Sequence, residues 1–274
     1  MQRYLLKTLG ALFLLAAPAV GQQRNTDIDK IGKRDINRGR PVVSDLASEM
    51  IMGREWANEI ERRGAKLLDD PVVTEYVNRI GQNIAMNSDA KTRFTTKVVD
   101  STAVNALALP GDFLYINAGL ILAADDESQL AGIMAHLMAH VAARHASELE
   151  ARGGVGSLSG HPPSILASPR SARTIPPQFY SFMLQSEEEA DLLGVQYLYK
   201  AGYDPSAMVS MFQKLAANDI AGKVSESFDT HLQKEQRVTK VNEDIKLYLP
   251  PRQQNIVTTT EFQTVKARVI ALTQ

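Results

Sequence analysis

The stretch Asp125-Asp126-Glu127-Ser128-Gln129-Leu130-Ala131-Gly132-Ile133-Met134-Ala135-His136-Leu137-Met138-Ala139-His140-Val141-Ala142-Ala143 decides how the chain folds. Three acids at its head put negative charge at the positive end of a helix dipole, and Asp126 with Gln129 three residues later has the form of a capping box. From Leu130 to Ala143, Gly132 apart, the only residues that are not apolar are two histidines. A helix apolar on nearly every face must be buried. Arg152-Gly153-Gly154 reads as its stop, so one continuous helix is predicted from Asp126 to about Arg152.

His136 and His140 stand four apart, about 6 Å along the axis and about 40° around it, so both rings leave one face. Zinc takes its first two protein ligands in this way, at roughly 2.0–2.1 Å each. The motif that uses the geometry reads H-E-x-x-H, with the glutamate as general base; here Leu137 holds the base position. The other reading of such a pair is two core histidines hydrogen-bonded to backbone, and only a third ligand separates the two. Glu187-Glu188-Glu189-Ala190-Asp191 offers one. Glu187 and Asp191 share a helix face, so Glu187 would complete a His-His-Glu set and Asp191 would accept the free N–H of a ligating imidazole. Glu189 is the competing carboxylate. By spacing alone, the same run also reads as surface acids near a helix N-terminus, where the dipole favours them.

Working outward, the chain has 274 residues, 44% hydrophobic and 22% charged, a balance typical of a globular domain. A net charge of −1 gives no field that would draw it to nucleic acid. The N-terminal residues 1–21 read as a secretory signal peptide: Arg3 and Lys7, an apolar run from Leu9 to Ala17, and small residues around Ala19 and Gly21. That run is too short for a bilayer anchor, and no second apolar run of about 18 residues follows. Without cysteine the exported chain has no disulfides and rests on its core or on a metal. The expected location is periplasmic or extracellular, soluble after cleavage. Residues 22–43, rich in Lys and Arg, read as a flexible, solvated lead-in.

Residues 44–274 are predicted to form one domain. Leu46, Met50, Ile51, Trp56 and Ile60 recur at helical spacing, and Asp69-Asp70-Pro71 starts a second helix that buries Val72, Val73, Tyr76, Val77, Ile80 and Ile84. Phe94–Val99 reads as a strand, and the runs on either side of Pro110-Gly111-Asp112 as a hairpin. Residues 153–178 are a long Gly-, Ser- and Pro-rich loop, a possible lid, with His161 solvent-exposed within it. Helices are expected over Gln185–Ala201, after Asp204-Pro205, through Val238–Leu249, and from Glu261 to Leu272. The fold class is α+β and mainly helical: a central buried ligand helix packed by other helices, with a small sheet beside a cleft.

The chain resembles zinc metallopeptidase family forty-eight, a gluzincin family of exported BepA-like proteases with HtpX and the CAAX prenyl proteases as distant relatives. The resemblance runs from about Ser44 to Leu249. Val104-Asn105-Ala106-Leu107-Ala108-Leu109-Pro110-Gly111, Gly119-Leu120 and Ala135-His136-Leu137-Met138-Ala139-His140-Val141-Ala142-Ala143-Arg144-His145 carry its first half. Glu187-Glu188-Glu189-Ala190-Asp191-Leu192-Leu193-Gly194, Ala201-Gly202-Tyr203-Asp204-Pro205 and Thr230-His231 carry the rest. It implies one zinc ion held by His136, His140 and Glu187, with Asp191 behind a ligand. It also implies an edge at Asn105, Ala106 and Leu107 that pairs with extended polypeptide. His231 matches a family histidine usually followed by proline, here Leu232, that either closes the metal as a fourth ligand or assists the transition state. Arg144 and His145 belong to the motif as structural support.

Leu137 is the departure from that pattern. A positioned base contributes typically about 10²–10⁴-fold, and leucine has no lone pair. Glu148 and Glu150, on a continuous helix, would lie roughly 16 Å or more away. The sequence therefore leaves two readings: a pseudopeptidase that binds extended or misfolded chains, and an active metalloendopeptidase with a substitute base. A helical domain without metal is a third.

Overall fold

The computed structural model describes residues 25–153, 177–216, 224 and 234–274. Residues 1–21, read above as a signal peptide, His161, His231 and nearly all of the 153–178 stretch lie outside them. Nine helices and a three-stranded sheet are described: α1 Leu46–Arg62, α2 Pro71–Met86, β1 Thr95–Val99, β2 Ala106–Ala108, β3 Phe113–Asn117, α3 Ala118–Ala123, α4 Glu127–Ala142, α5 His145–Ala151, α6 Pro177–Lys200, α7 Ser206–Ala216, α8 Lys234–Tyr248 and α9 Thr260–Thr273. The mainly helical α+β class expected from the sequence is what is found.

Local chemistry sets the starts. Asp70 accepts from Val73 N–H at 3.0 Å, and Pro71 takes the first helical position, where a missing N–H costs nothing. Asp126 accepts from Gln129 N–H at 2.8 Å, while the Gln129 amide oxygen accepts from Asp125 N–H at 2.9 Å, so the reciprocal bond lands one residue earlier than in a standard capping box. Around Pro110-Gly111-Asp112 the chain reverses as predicted, pairing β2 antiparallel with β3; β1 joins the other edge of β3 in parallel, giving the order β1-β3-β2. Gly111 has φ of 89°, and a Cβ there would stand 2.7 Å from Met50 Cα, so the turn can press onto α1 only as glycine.

Helix α4 is the core. Leu130, Ala131, Met134, Ala135, Met138 and Ala139 are fully buried, and α6, α7 and α2 pack around it. Each large apolar side chain so buried contributes about 1.5–3 kcal/mol. Contact with α6 is close at Gly194, where an added Cβ would come within 3.1 Å of the His136 Cα. This approach brings the α6 carboxylates to the α4 imidazoles.

Four expectations need correction. The ligand helix is not continuous to Arg152: it ends at Ala142, Arg144 turns left-handed at φ 55°, and α5 begins at His145. The Arg144 side chain holds this turn through Glu49 (2.8 Å) and the Ser44 carbonyl. Glu148, placed by the sequence on the same helix as the histidines, thus lies on a separate one. The segment 22–43 is not a solvated lead-in over its described part. Arg34 is buried, pairing with Asp89 (2.7 Å) and donating to the side-chain amide oxygen of Gln196 (2.8 Å), and Asn37 donates to the Ala142 backbone carbonyl at the end of α4 (2.7 Å). Its cations find partners far along the chain, which composition does not reveal. Helix α6 begins at Pro177, eight residues before the expected start, so Glu187 and its neighbours lie in mid-helix rather than at a surface N-terminus. Finally, Ile51 and Val72 are exposed; the buried face of α1 runs through Gly53, Trp56, Ala57 and Ile60, turned away from Ile51.

Candidate metal centre

His136 and His140 leave the same face of α4 toward Glu187 on α6, and the three donor groups form one cluster. The two Nε2 atoms are 3.2 Å apart; His136 Nε2 lies 3.4 Å from Glu187 Oε2, and His140 Nε2 lies 3.4 Å from Glu187 Oε1. A tetrahedral ion with arms of roughly 2.0–2.1 Å separates its ligands by about 3.3–3.4 Å, so this triangle has the size a zinc-like ion requires. His136 and Glu187 are buried, and His140 is partly open to solvent.

Each group is held from behind. Asp191, one turn after Glu187, places Oδ1 2.9 Å from His136 Nδ1, on a bent rather than linear approach. Arg237 on α8 grips that aspartate at both oxygens (2.7 and 2.5 Å), comes within 3.3 Å of Glu187 Oε2, and stacks its guanidinium 4.5 Å above the Phe212 ring. His140 Nδ1 is 2.9 Å from His145 Nδ1, and His145 Nε2 is 3.1 Å from Glu189 Oε2. Arg40, from the N-terminal segment, donates to both Glu189 oxygens (2.8 and 2.9 Å).

The electrostatics follow. Burial opposes a charge on His136, but Asp191 and Glu187 outweigh it and raise its pKa. Burial pulls His140 down to about 3, keeping it neutral, the form that offers a lone pair to a metal. Against the cost of burial, Arg237 and His136 hold Asp191 below the ordinary carboxylate range. Glu189, against the same cost, is held at about 2 by His145 and Arg40.

Of the residues singled out from sequence, the fold brings together His136, His140, Glu187 and Asp191. Glu189, the competing carboxylate, stands one shell out, bound to Arg40 and His145. Asn105, Ala106 and Leu107 lie at and just before β2, one of the two edge strands of the described sheet, which packs against α4. Leu137 is buried in the main core. Sequence reasoning missed Arg237, Arg40 and the place of His145 beside His140. Arg237 had a signal: four residues before Val241, it sits on the apolar side of α8, where a cation needs a buried partner.

Two histidines from one helix and a glutamate from another are the donor set of one class of catalytic zinc hydrolases, the thermolysin-like metallopeptidases. The chain belongs to peptidase family M48, whose model matches residues 71–161 and 164–245. It is 32% identical over 231 residues to the beta-barrel assembly-enhancing protease of Escherichia coli, covering 78% of this chain and 47% of that one. To the protein of the same name from Yersinia pestis it is 32% identical over 197 residues (66% and 40%). To the mitochondrial metalloendopeptidase OMA1 of Schizosaccharomyces pombe it is 27% identical over 182 residues (62% and 52%). The chain thus spans about half the length of these curated relatives. Among the described residues, no helix is long and apolar enough to cross a membrane.

Proposed function

We propose that this protein holds one zinc ion at His136, His140 and Glu187 and binds extended or misfolded polypeptide in the cell envelope, with peptide hydrolysis impaired. The observation that carries the reading is Leu137, an aliphatic side chain at the general-base position of the motif. When bound, the zinc would acidify a water and polarise a carbonyl oxygen. Hydrolysis also needs a side chain that takes the water's proton and returns it to the leaving amine. The nearby described carboxylates are committed elsewhere: Asp191 to Arg237, and Glu189 to Arg40 and His145. Glu187 itself belongs to the donor set.

The edge strand at Asn105, Ala106 and Leu107 would receive an extended client by strand addition, its backbone groups supplying affinity and the cleft beside α4 supplying selectivity. The Asn105 carbonyl already accepts from Asn117 N–H at 3.0 Å, which fixes the inner side of this edge. His231 would act as a fourth ligand or steady the transition state. Location in the envelope rests on the signal-like residues 1–21 and on the relatives' role in β-barrel assembly.

The second reading is an active metalloendopeptidase with a substitute base, favoured by family membership and by relatives named as proteases. Casein cleavage by the natural chain and by Leu137→Glu separates the two. If only the Glu variant cleaves, the impaired reading stands; if the natural chain cleaves and His136→Ala abolishes it, that reading is wrong.

A further inference from the structure

The proton arrangement of the His140 ring is written into residues outside the donor set. Glu189 is held as a carboxylate by Arg40 and therefore only accepts; with Oε2 at 3.1 Å, it requires the hydrogen on His145 Nε2. In the neutral His145 ring Nδ1 is then bare, and it turns its lone pair to His140 Nδ1 at 2.9 Å. Two lone pairs cannot face each other at that distance, so His140 must carry its hydrogen on Nδ1. Its Nε2 is left bare, on the side facing His136 and Glu187.

We infer that His145, anchored by Glu189 and Arg40, is a positioning residue that fixes the Nδ1–H tautomer of His140 and so keeps Nε2 available to the metal. The chain Arg40–Glu189–His145–His140 runs from the N-terminal segment through α6 and α5 to α4, and it depends on the helix break at Arg144. A continuous helix would carry position 145 roughly 100° further around the axis than position 144 and about 7.5 Å beyond His140, out of reach of its ring. The left-handed turn returns it. Partners that orient a ligating imidazole are worth about 10–100-fold in metal affinity.

The inference rests on the metal-centre reading, so its test has one arm independent of metal. The chain has five histidines, which makes ring-nitrogen NMR of the full protein tractable. In metal-free wild type His140 should be the Nδ1–H tautomer. In His145→Phe, which neither accepts nor donates, it should shift toward Nε2–H, and zinc measured by chelator competition should bind about 10–100-fold more weakly. His145→Gln, whose carbonyl accepts from His140 and whose amide donates to Glu189, should restore both to within a few-fold. A Phe variant with the wild-type tautomer and zinc affinity, changed only in melting temperature, overturns the inference. If the Phe variant does not fold, Arg40→Ala at the outer end of the relay takes its place: a shift in the same direction supports the relay, and no change refutes it. Wild type that binds no zinc removes the metal-centre reading, and the tautomer comparison still decides the relay.

Discussion

Removing the Arg237 side chain should unfold the protein more easily than any surface change of the same size. The guanidinium is buried against Phe212 and bridges Asp191 at 2.7 and 2.5 Å and Glu187 at 3.3 Å. Arg237→Met keeps most of the apolar stem and deletes the charge, leaving two buried carboxylates with one cationic partner fewer. Breaking a buried pair in this way costs about 3–5 kcal/mol. For a domain of this size each 1 kcal/mol moves the melting temperature by about 2–4 °C, so the drop should be on the order of 10 °C. Thermal unfolding followed by circular dichroism on the metal-free protein reads it directly. The double variant Arg237→Met, Asp191→Asn removes the stranded charge and should recover more than half of the loss. A single variant that melts with the wild type, or a double variant less stable than the single, would falsify the claim that Arg237 neutralises the carboxylates behind the site.

Gly111→Ala should cost about 1–3 kcal/mol, read from urea midpoints, because φ there is 89° and the added Cβ would meet the Met50 backbone. Asp70→Ala removes the cap of α2 together with its ion pair to Arg268, and should cost about 1 kcal/mol. Glu189 has its folded pKa lowered from 4.5 to about 2, so its contribution is complete above pH about 4.5 and is lost as pH falls toward 2. The melting temperature of Glu189→Gln should therefore fall less than that of the wild type between pH 5 and pH 3; parallel curves would count against the Arg40–Glu189–His145 chain.

The parts of the fold visible in the sequence are those whose causes are local. An uninterrupted apolar run with acids and Asp126 at its head has only one place to go, the centre; Asp70-Pro71 and Pro110-Gly111-Asp112 carry their own turn and cap chemistry. Spacing also put His136 with His140, and Glu187 with Asp191, on common faces. What stayed hidden depends on distant partners. Nothing between Ala142 and His145 is a helix breaker, and Arg144 turns left-handed because Glu49, nearly a hundred residues earlier, receives its guanidinium. The segment before Pro41 looked solvated because its six cations outnumber its three aspartates, yet distant Asp89, Glu148 and Glu189 take up Arg34 and Arg40. A carboxylate run such as 187–191 reads as surface until the length of its helix is known, and the start at Pro177 lay in what composition marked as loop.

The central claim is that two imidazoles and one carboxylate hold a single ion, and zinc content per chain tests it most directly. Purified protein dialysed against trace zinc should carry about one equivalent, while Glu187→Ala, with an unchanged far-ultraviolet spectrum, should carry close to none. Equal metal in both, or none in the wild type, would contradict the account.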